Sequence, residues 1–148
     1  NNYFRAFVNY GTLDADYEVF DTDVNPNDGV TVVEDATFLT PRNSPDYTLG
    51  VGGTLSVPVG NGTVEAFMKV TKIAAYDSAL LNLKQAKVGA REELSLSVGY
   101  YAENWAIEAY GKNLTDQRFE TFFPIATLFA AGNVNSPRTL GLEFTYEF

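Results

Sequence analysis

Residues 140–148 read LGLEFTYEF, and the alternation along them decides how the chain folds. Leu140, Leu142, Phe144, Tyr146 and Phe148 share one parity; Gly141, Glu143, Thr145 and Glu147 share the other. Successive side chains of a strand point to opposite faces, so the segment is a β-strand with one apolar and one polar face. A soluble strand of this kind buries its apolar face against a second layer and ordinarily runs on into polar residues. Here the sequence stops on the ring of Phe148.

The same alternation recurs upstream. From Tyr3 to about Tyr10, Phe4, Ala6, Val8 and Tyr10 oppose Arg5, Phe7 and Asn9. From Tyr47 to Val57, Leu49, Val51, Gly53, Leu55 and Val57 oppose Thr48, Gly50, Gly52, Thr54 and Ser56. Thr63 to about Val70 sets Val64, Ala66, Met68 and Val70 against Glu65, Phe67 and Lys69. Glu93–Tyr101 and Trp105 to about Leu114 follow the same rule, and Arg138–Phe148 closes the series. Between these segments the connections run long, short, long, short, long. Val59-Gly60-Asn61-Gly62 and Glu103-Asn104 are tight turns, the first a hairpin signal. The stretch from Asp21 to Asp46, dense in Gly, Pro, Asn and Asp, is a loop. ALLNLKQAKVGAR at 79–91 has some helical flavour and is assigned to a second long loop, and 115–137 forms a third.

Composition narrows the function. The 148 residues are 45% hydrophobic and 14% aromatic, which excludes a disordered chain and favours strands. The net charge of −9 excludes a nucleic-acid partner, because phosphate binding needs clustered basic residues. With no Cys and no His, there is no disulfide scaffold, thiol nucleophile, Cys/His zinc site or Ser-His-Asp triad. No run approaches the ~18 apolar residues of a membrane helix, although strands can cross a bilayer with ~9–11 alternating residues. The start, NNYFRAFV, has neither initiator Met nor signal peptide and reads as a processed or excised piece.

An all-β antiparallel fold of about six strands follows, and two versions compete: a soluble sandwich or barrel, and a transmembrane β-barrel segment. The membrane version is favoured by a polar face rich in Gly, Ser and Thr. Aromatic residues near the strand ends (Tyr10, Tyr47, Tyr100, Tyr101, Trp105, Tyr146 and Phe148) also fit interfacial girdles. With Phe148 on the periplasmic side, every long connection is extracellular and every short one periplasmic, as in outer-membrane barrels.

GKNLTDQRF at 111–119, followed after a loop by SPRTLGLEFTYEF at 136–148, resembles the C-terminal end of TonB-dependent outer-membrane receptors. NSPDYTLGVGGTLSVPVGNGTVEAF at 43–67 is similar to that family's proline-led strand, short turn and next strand. The resemblance implies a barrel of about 22 strands filled by an N-terminal plug, and active uptake of a ferric siderophore, cobalamin or saccharide. Residues 1–148 would then be the C-terminal part of such a barrel, with no plug domain, in a Gram-negative outer membrane. The implied partners are outer-membrane lipid, the remaining strands and plug, the TonB complex through that plug, and the barrel-assembly machinery. That machinery would recognise Phe144, Tyr146 and Phe148. About six strands cannot enclose a lumen by themselves. The alternatives are a passive porin, an adhesin-like barrel, or a soluble β-domain binding a ligand through its loops.

Other candidates are weaker. DTDVNPNDG at 21–29 has calcium-loop spacing, but an EF-hand loop needs Gly at its sixth position and Glu at its twelfth, where Pro26 and Val32 stand. A solvated acidic turn is the main reading and a looser calcium site on an extracellular loop the alternative; no metal or cofactor is assigned. Glu92, Glu93, Glu143 and Glu147 are available as paired carboxylates, yet a hydrated lumen explains them more simply than catalysis, and no enzyme is expected. Phe119, Phe122, Phe123 and Phe129 lie in an unusually apolar third loop and are candidate ligand contacts, suited to an apolar or ring-bearing ligand.

Overall fold

Val51, Gly53, Leu55 and Val57 of one strand stand opposite Val70, Met68, Ala66 and Val64 of the next in the computed structural model of the chain. Across every pair of the six long strands the apolar face of one meets the apolar face of the next, and this register builds the sheet. The structure describes residues 3–26, 28–82, 86–122, 125–126, 129–130 and 133–148, the side chains of 120–122, 125–126 and 129–130 excepted.

In chain order the strands are β1 (Phe4–Thr12), β2 (Asp21–Thr22), β3 (Glu34–Asp35), β4 (Tyr47–Val59), β5 (Gly62–Ile73), β6 (Tyr76–Asp77) and β7 (Lys87–Val88). They continue as β8 (Arg91–Tyr101), β9 (Trp105–Lys112), β10 (Glu120–Phe122), β11 (Ile125–Ala126), β12 (Phe129–Ala130), β13 (Asn133–Val134) and β14 (Thr139–Tyr146). One six-stranded antiparallel meander, in the order β1-β4-β5-β8-β9-β14, carries the architecture. The remaining strands are short pairs within the long connections: β2 with β3, β6 with β7, β10 with β13 and β11 with β12. β1 and β14 are the two edges, so the sheet is an open arc. Among the described residues no helix is long and apolar enough to cross a membrane.

The expected segments are present with shifted ends. β4 has 13 residues, about 43 Å at ~3.3 Å per residue, enough to cross a ~30 Å hydrocarbon core when tilted by 45°. It runs through Pro58 without losing a ladder bond. The Ser56 amide donates to Tyr3, and Pro58, two residues on, faces the same side beyond the start of β1. The hairpin to β5 uses Gly60 and Asn61, with Gly60 at φ 60°, the sign a type II′ turn requires of its first central residue. β9 ends at Lys112, two residues earlier than the periodicity predicts, because Asn113 turns into the left-handed region at φ 48°.

Register assigns the two faces. One carries Phe4, Ala6, Val8 and Tyr10 of β1; Leu49 to Val57 at odd positions of β4; and Val64, Ala66, Met68 and Val70 of β5. It continues through Leu94, Leu96, Val98 and Tyr100, then Trp105, Ile107 and Ala109, then Leu140, Leu142, Phe144 and Tyr146. No charged residue interrupts this belt until Lys72 and Glu92, which pair at 2.8 Å at its long-loop rim. A soluble sandwich would bury the belt; instead Leu140, Leu142 and Phe144 are 70%, 71% and 65% exposed. The buried apolar residues among those described are Ala36, Ala74, Ala86 and Val88, none from the middle of the sheet. They sit at the long-loop end, where Asn82 and Thr40 exchange hydrogen bonds of 2.6 and 2.9 Å and the Asn43 amide donates to Asp77. The fold is a single layer with an uncovered apolar face.

Candidate functional site

The apolar belt is the first functional surface. At its short-turn end, Tyr100 and Trp105 pack with ring centroids 5.2 Å apart, and Trp105 and Phe144 at 6.4 Å. Tyr146 meets Phe148 edge-on at 5.1 Å. These rings come from β8, β9 and β14 and the residues after it, and form a continuous aromatic border of the kind that marks a lipid–water boundary. Phe144, Tyr146 and Phe148, the expected assembly signal, all lie in this border. Tyr101 does not. It shares the parity of Ser97 and Gly99, faces the polar side, and donates a short hydrogen bond from its hydroxyl to Glu108. Its place in the girdle is corrected accordingly; adjacent tyrosines of one strand cannot both face outward.

The polar face is the second surface, a wall of small residues, aromatics and carboxylates. Glu65, Gly99, Glu108 and Glu143 occupy one level across β5, β8, β9 and β14, with Glu108 directly opposite Glu143. Like charges facing each other in a ladder are unfavourable in a dry environment, so this row belongs on a hydrated surface. Tyr101 serves Glu108, and the Ser56 hydroxyl donates to Glu65 at 2.9 Å. One level outward Phe67 and Tyr110 project, and beyond them Lys69 and Lys112. Phe67, Ser97, Glu108, Tyr110, Lys112 and Glu143 help line an open groove of about 370 Å³. Gly141 leaves room for the Tyr110 ring, which lies where a Cβ would be and would have to shift for any larger residue.

The third feature explains the two motifs quoted above. Asn113 is buried, and its side-chain amide donates to the carbonyls of Gln117 and Ser136, each at 3.0 Å, while its Oδ1 accepts from the Gln117 amide at 3.1 Å. Asp116 Oδ1 accepts the Arg138 amide at 2.9 Å, and that bond is the main reason its carboxyl is held below the usual range. The Asn135 side chain closes the base of the loop, donating to the Gln117 carbonyl and accepting from the Phe119 amide. NLTD and SPR are therefore the two halves of a staple. It clamps the exit of β9 to the entry of β14.

At the mouth of the polar face, Arg91 of β8 lies between two rings. Its Cζ is 5.2 Å from the Tyr76 centroid and 5.2 Å from the Phe119 centroid. Phe119 is thus brought to the long-loop rim, beside Thr71, Ile73, Arg91 and Glu93 around a cavity of about 100 Å³. Of the other candidate ligand contacts, Phe123 and the side chains of Phe122 and Phe129 lie outside the described residues. Local sequence patterns gave no sign of Arg91, because its rings come from loops distant in the chain.

The acidic loop at 21–29 spends its carboxylates on turns: Asp23 accepts the Asn25 amide, and Asp28 accepts the Val30 amide and the Asn25 side chain. Among the described residues no cluster of three or more Asp, Glu, His or Cys is placed to hold a metal ion. Glu92 is paired with Lys72 on the outward rim, while Glu93 and Glu143 are on the polar face, so the carboxylates considered for acid–base work are not brought together.

No family model matches the chain, and no curated protein matches it. Among solved structures it is similar to the ferric yersiniabactin uptake receptor FyuA from Yersinia pestis, with a TM-score of 0.66 and 25% identity. The match covers 72% of this chain and 17% of that one. The fold is that of a TonB-dependent receptor barrel portion. The chain spans less than a fifth of its structural neighbour. β1 and β14 are unpaired edges of the six-stranded sheet. That neighbour is an uptake receptor.

Proposed function

We propose that these residues are the C-terminal barrel segment of a TonB-dependent receptor in a Gram-negative outer membrane, acting in the active uptake of a scarce nutrient. The observation that carries this is the uncharged belt across six strands, exposed on one side of a single layer and bordered by aromatic rings. Lipid is the solvent such a belt requires. Long connections at one end and tight turns at the other fit extracellular loops and periplasmic turns. A ferric siderophore is the substrate class favoured by the neighbour's own cargo, a ferric chelate. The polar face would line the lumen against the plug, through which TonB would act. The remaining strands would close the barrel from β1 and β14, and the barrel-assembly machinery would take hold of Phe144, Tyr146 and Phe148. Phe119 would contact the ligand as it enters.

The test is uptake of radioiron chelates by cells that carry or lack the gene encoding this chain, with and without TonB. Uptake that requires both supports the proposal. A product found in the soluble fraction, or uptake indifferent to its loss, contradicts it.

A further inference from the structure

We propose that Arg91 is a releasable joint between the second and third long connections, closed by two aromatic rings and opposed by its own buried, unbonded donor. The joint links two bodies that are each tied internally. In the second connection, Tyr76 and Asp77 of β6 pair with Val88 and Lys87 of β7. The Ser78 amide and hydroxyl both donate to the Ala86 carbonyl, at 3.0 and 2.7 Å, and Ala86 and Val88 are buried. The third connection is tied at its base by the Asn113 staple, and Phe119 belongs to that base. Its carbonyl accepts the Asn135 amide at 3.1 Å, and its own amide donates to the Asn135 side chain. Tyr76 and Phe119 thus reach Arg91 from separate bodies, each ring centroid 5.2 Å from Cζ.

Two opposed effects meet at this guanidinium. Ring faces attract the cation, more strongly where water is excluded. Against that, Nη1 is buried with no hydrogen-bond partner, and a charged donor shut away from water carries a cost of the same order. No carboxylate offsets it: the ion pairs among the described residues are Lys72 with Glu92 and Asp116 with Arg118. Withdrawal of either ring hydrates Nη1 and recovers that cost. The cavity of about 100 Å³ beside Phe119, lined also by Thr71, Ile73 and Glu93, gives the ring space to move. The rings therefore hold the joint closed while the cation they enclose favours opening, and an open form is populated beside the closed one. The consequence is coupling: displacing the second connection frees the base of the third, and the reverse holds equally.

The test uses the detergent-purified receptor containing this chain, without ligand, so its outcome is separate from that of the uptake assay. Nitroxides attached at Lys87→Cys and Ser136→Cys report the separation of the two connections by pulsed dipolar spectroscopy. Two distances are expected, the longer with an abundance on the order of a tenth. Phe119→Leu and Tyr76→Leu each remove a ring but keep the cation, and should raise the longer population severalfold. Arg91→Met is close in length but carries neither charge nor unbonded donor, and should lower that population. A single narrow distance in the unsubstituted receptor would overturn the proposal. So would a longer population that Arg91→Met leaves unchanged or raises, or that neither ring substitution moves. The unsubstituted distribution decides the matter even where a variant fails to fold.

Discussion

Asn113 ties the exit of β9 to the entry of β14 through one buried amide. Its side chain makes three hydrogen bonds across the β9–β14 connection, and its backbone holds φ at 48°, where Asn is tolerated better than most residues. Asn113→Ala is expected to destabilise the folded barrel by about 3 kcal/mol, near 1 kcal/mol per bond lost, measured by urea titration in detergent. A loss near zero would show that the staple is dispensable. Asp116 adds a pH dependence of known sign. Its lowered carboxyl value means that its bond to the Arg138 amide contributes above the usual 3.8 and is lost as pH falls through the lowered value. Hydrogen exchange at the Arg138 amide should accordingly quicken in acid, relative to neighbouring amides, and Asp116→Asn should remove that response. NLTD and PRT were legible as a motif, but not as a staple, because Asn113 and Ser136 meet only once the third loop has closed. Tyr101 was misassigned for a related reason. Ring position near a strand end fits either face, whereas parity already separates Tyr101 from its neighbour Tyr100, and the register bears that parity out.

Strands were the most legible level, since a period of two needs no tertiary information. The faces of β4, β5, β8, β9 and β14 follow the alternation in sequence, and only their ends moved, where turn geometry rather than periodicity decides. Parity makes a sharp prediction. Leu142→Arg places a charge on the apolar belt and should cost a few kcal/mol, about 2–4 near the bilayer midplane, whereas Thr145→Arg on the polar face should be tolerated. Folded yield in lipid vesicles measures both, and equal tolerance would contradict the assignment of faces. Gly141→Val forces a side chain into the Tyr110 ring and should destabilise the β9–β14 pair by roughly 1–3 kcal/mol; Gly141→Val combined with Tyr110→Ala should recover most of that loss.

At the scale of the whole molecule, the sheet makes sense only with neighbours it does not contain. Two unpaired edges and an exposed apolar face are tolerated when other strands continue the arc and lipid covers its outside. The loops carry what the sequence concealed. Arg91 at the start of β8 meets Tyr76 of the β5–β8 connection and Phe119 of the β9–β14 connection, and no periodic pattern marks them. The central claim, that the apolar face meets lipid and the polar face meets water, has a direct test in this cysteine-free chain. Single spin labels placed in turn along residues 139–146 of the receptor, in lipid vesicles, report collision with oxygen and with a water-soluble nickel chelate. Oxygen contact should peak at Leu140, Leu142, Phe144 and Tyr146, and nickel contact at Thr139, Gly141, Glu143 and Thr145. A scan without a period of two, or with the two sets exchanged, would contradict the account.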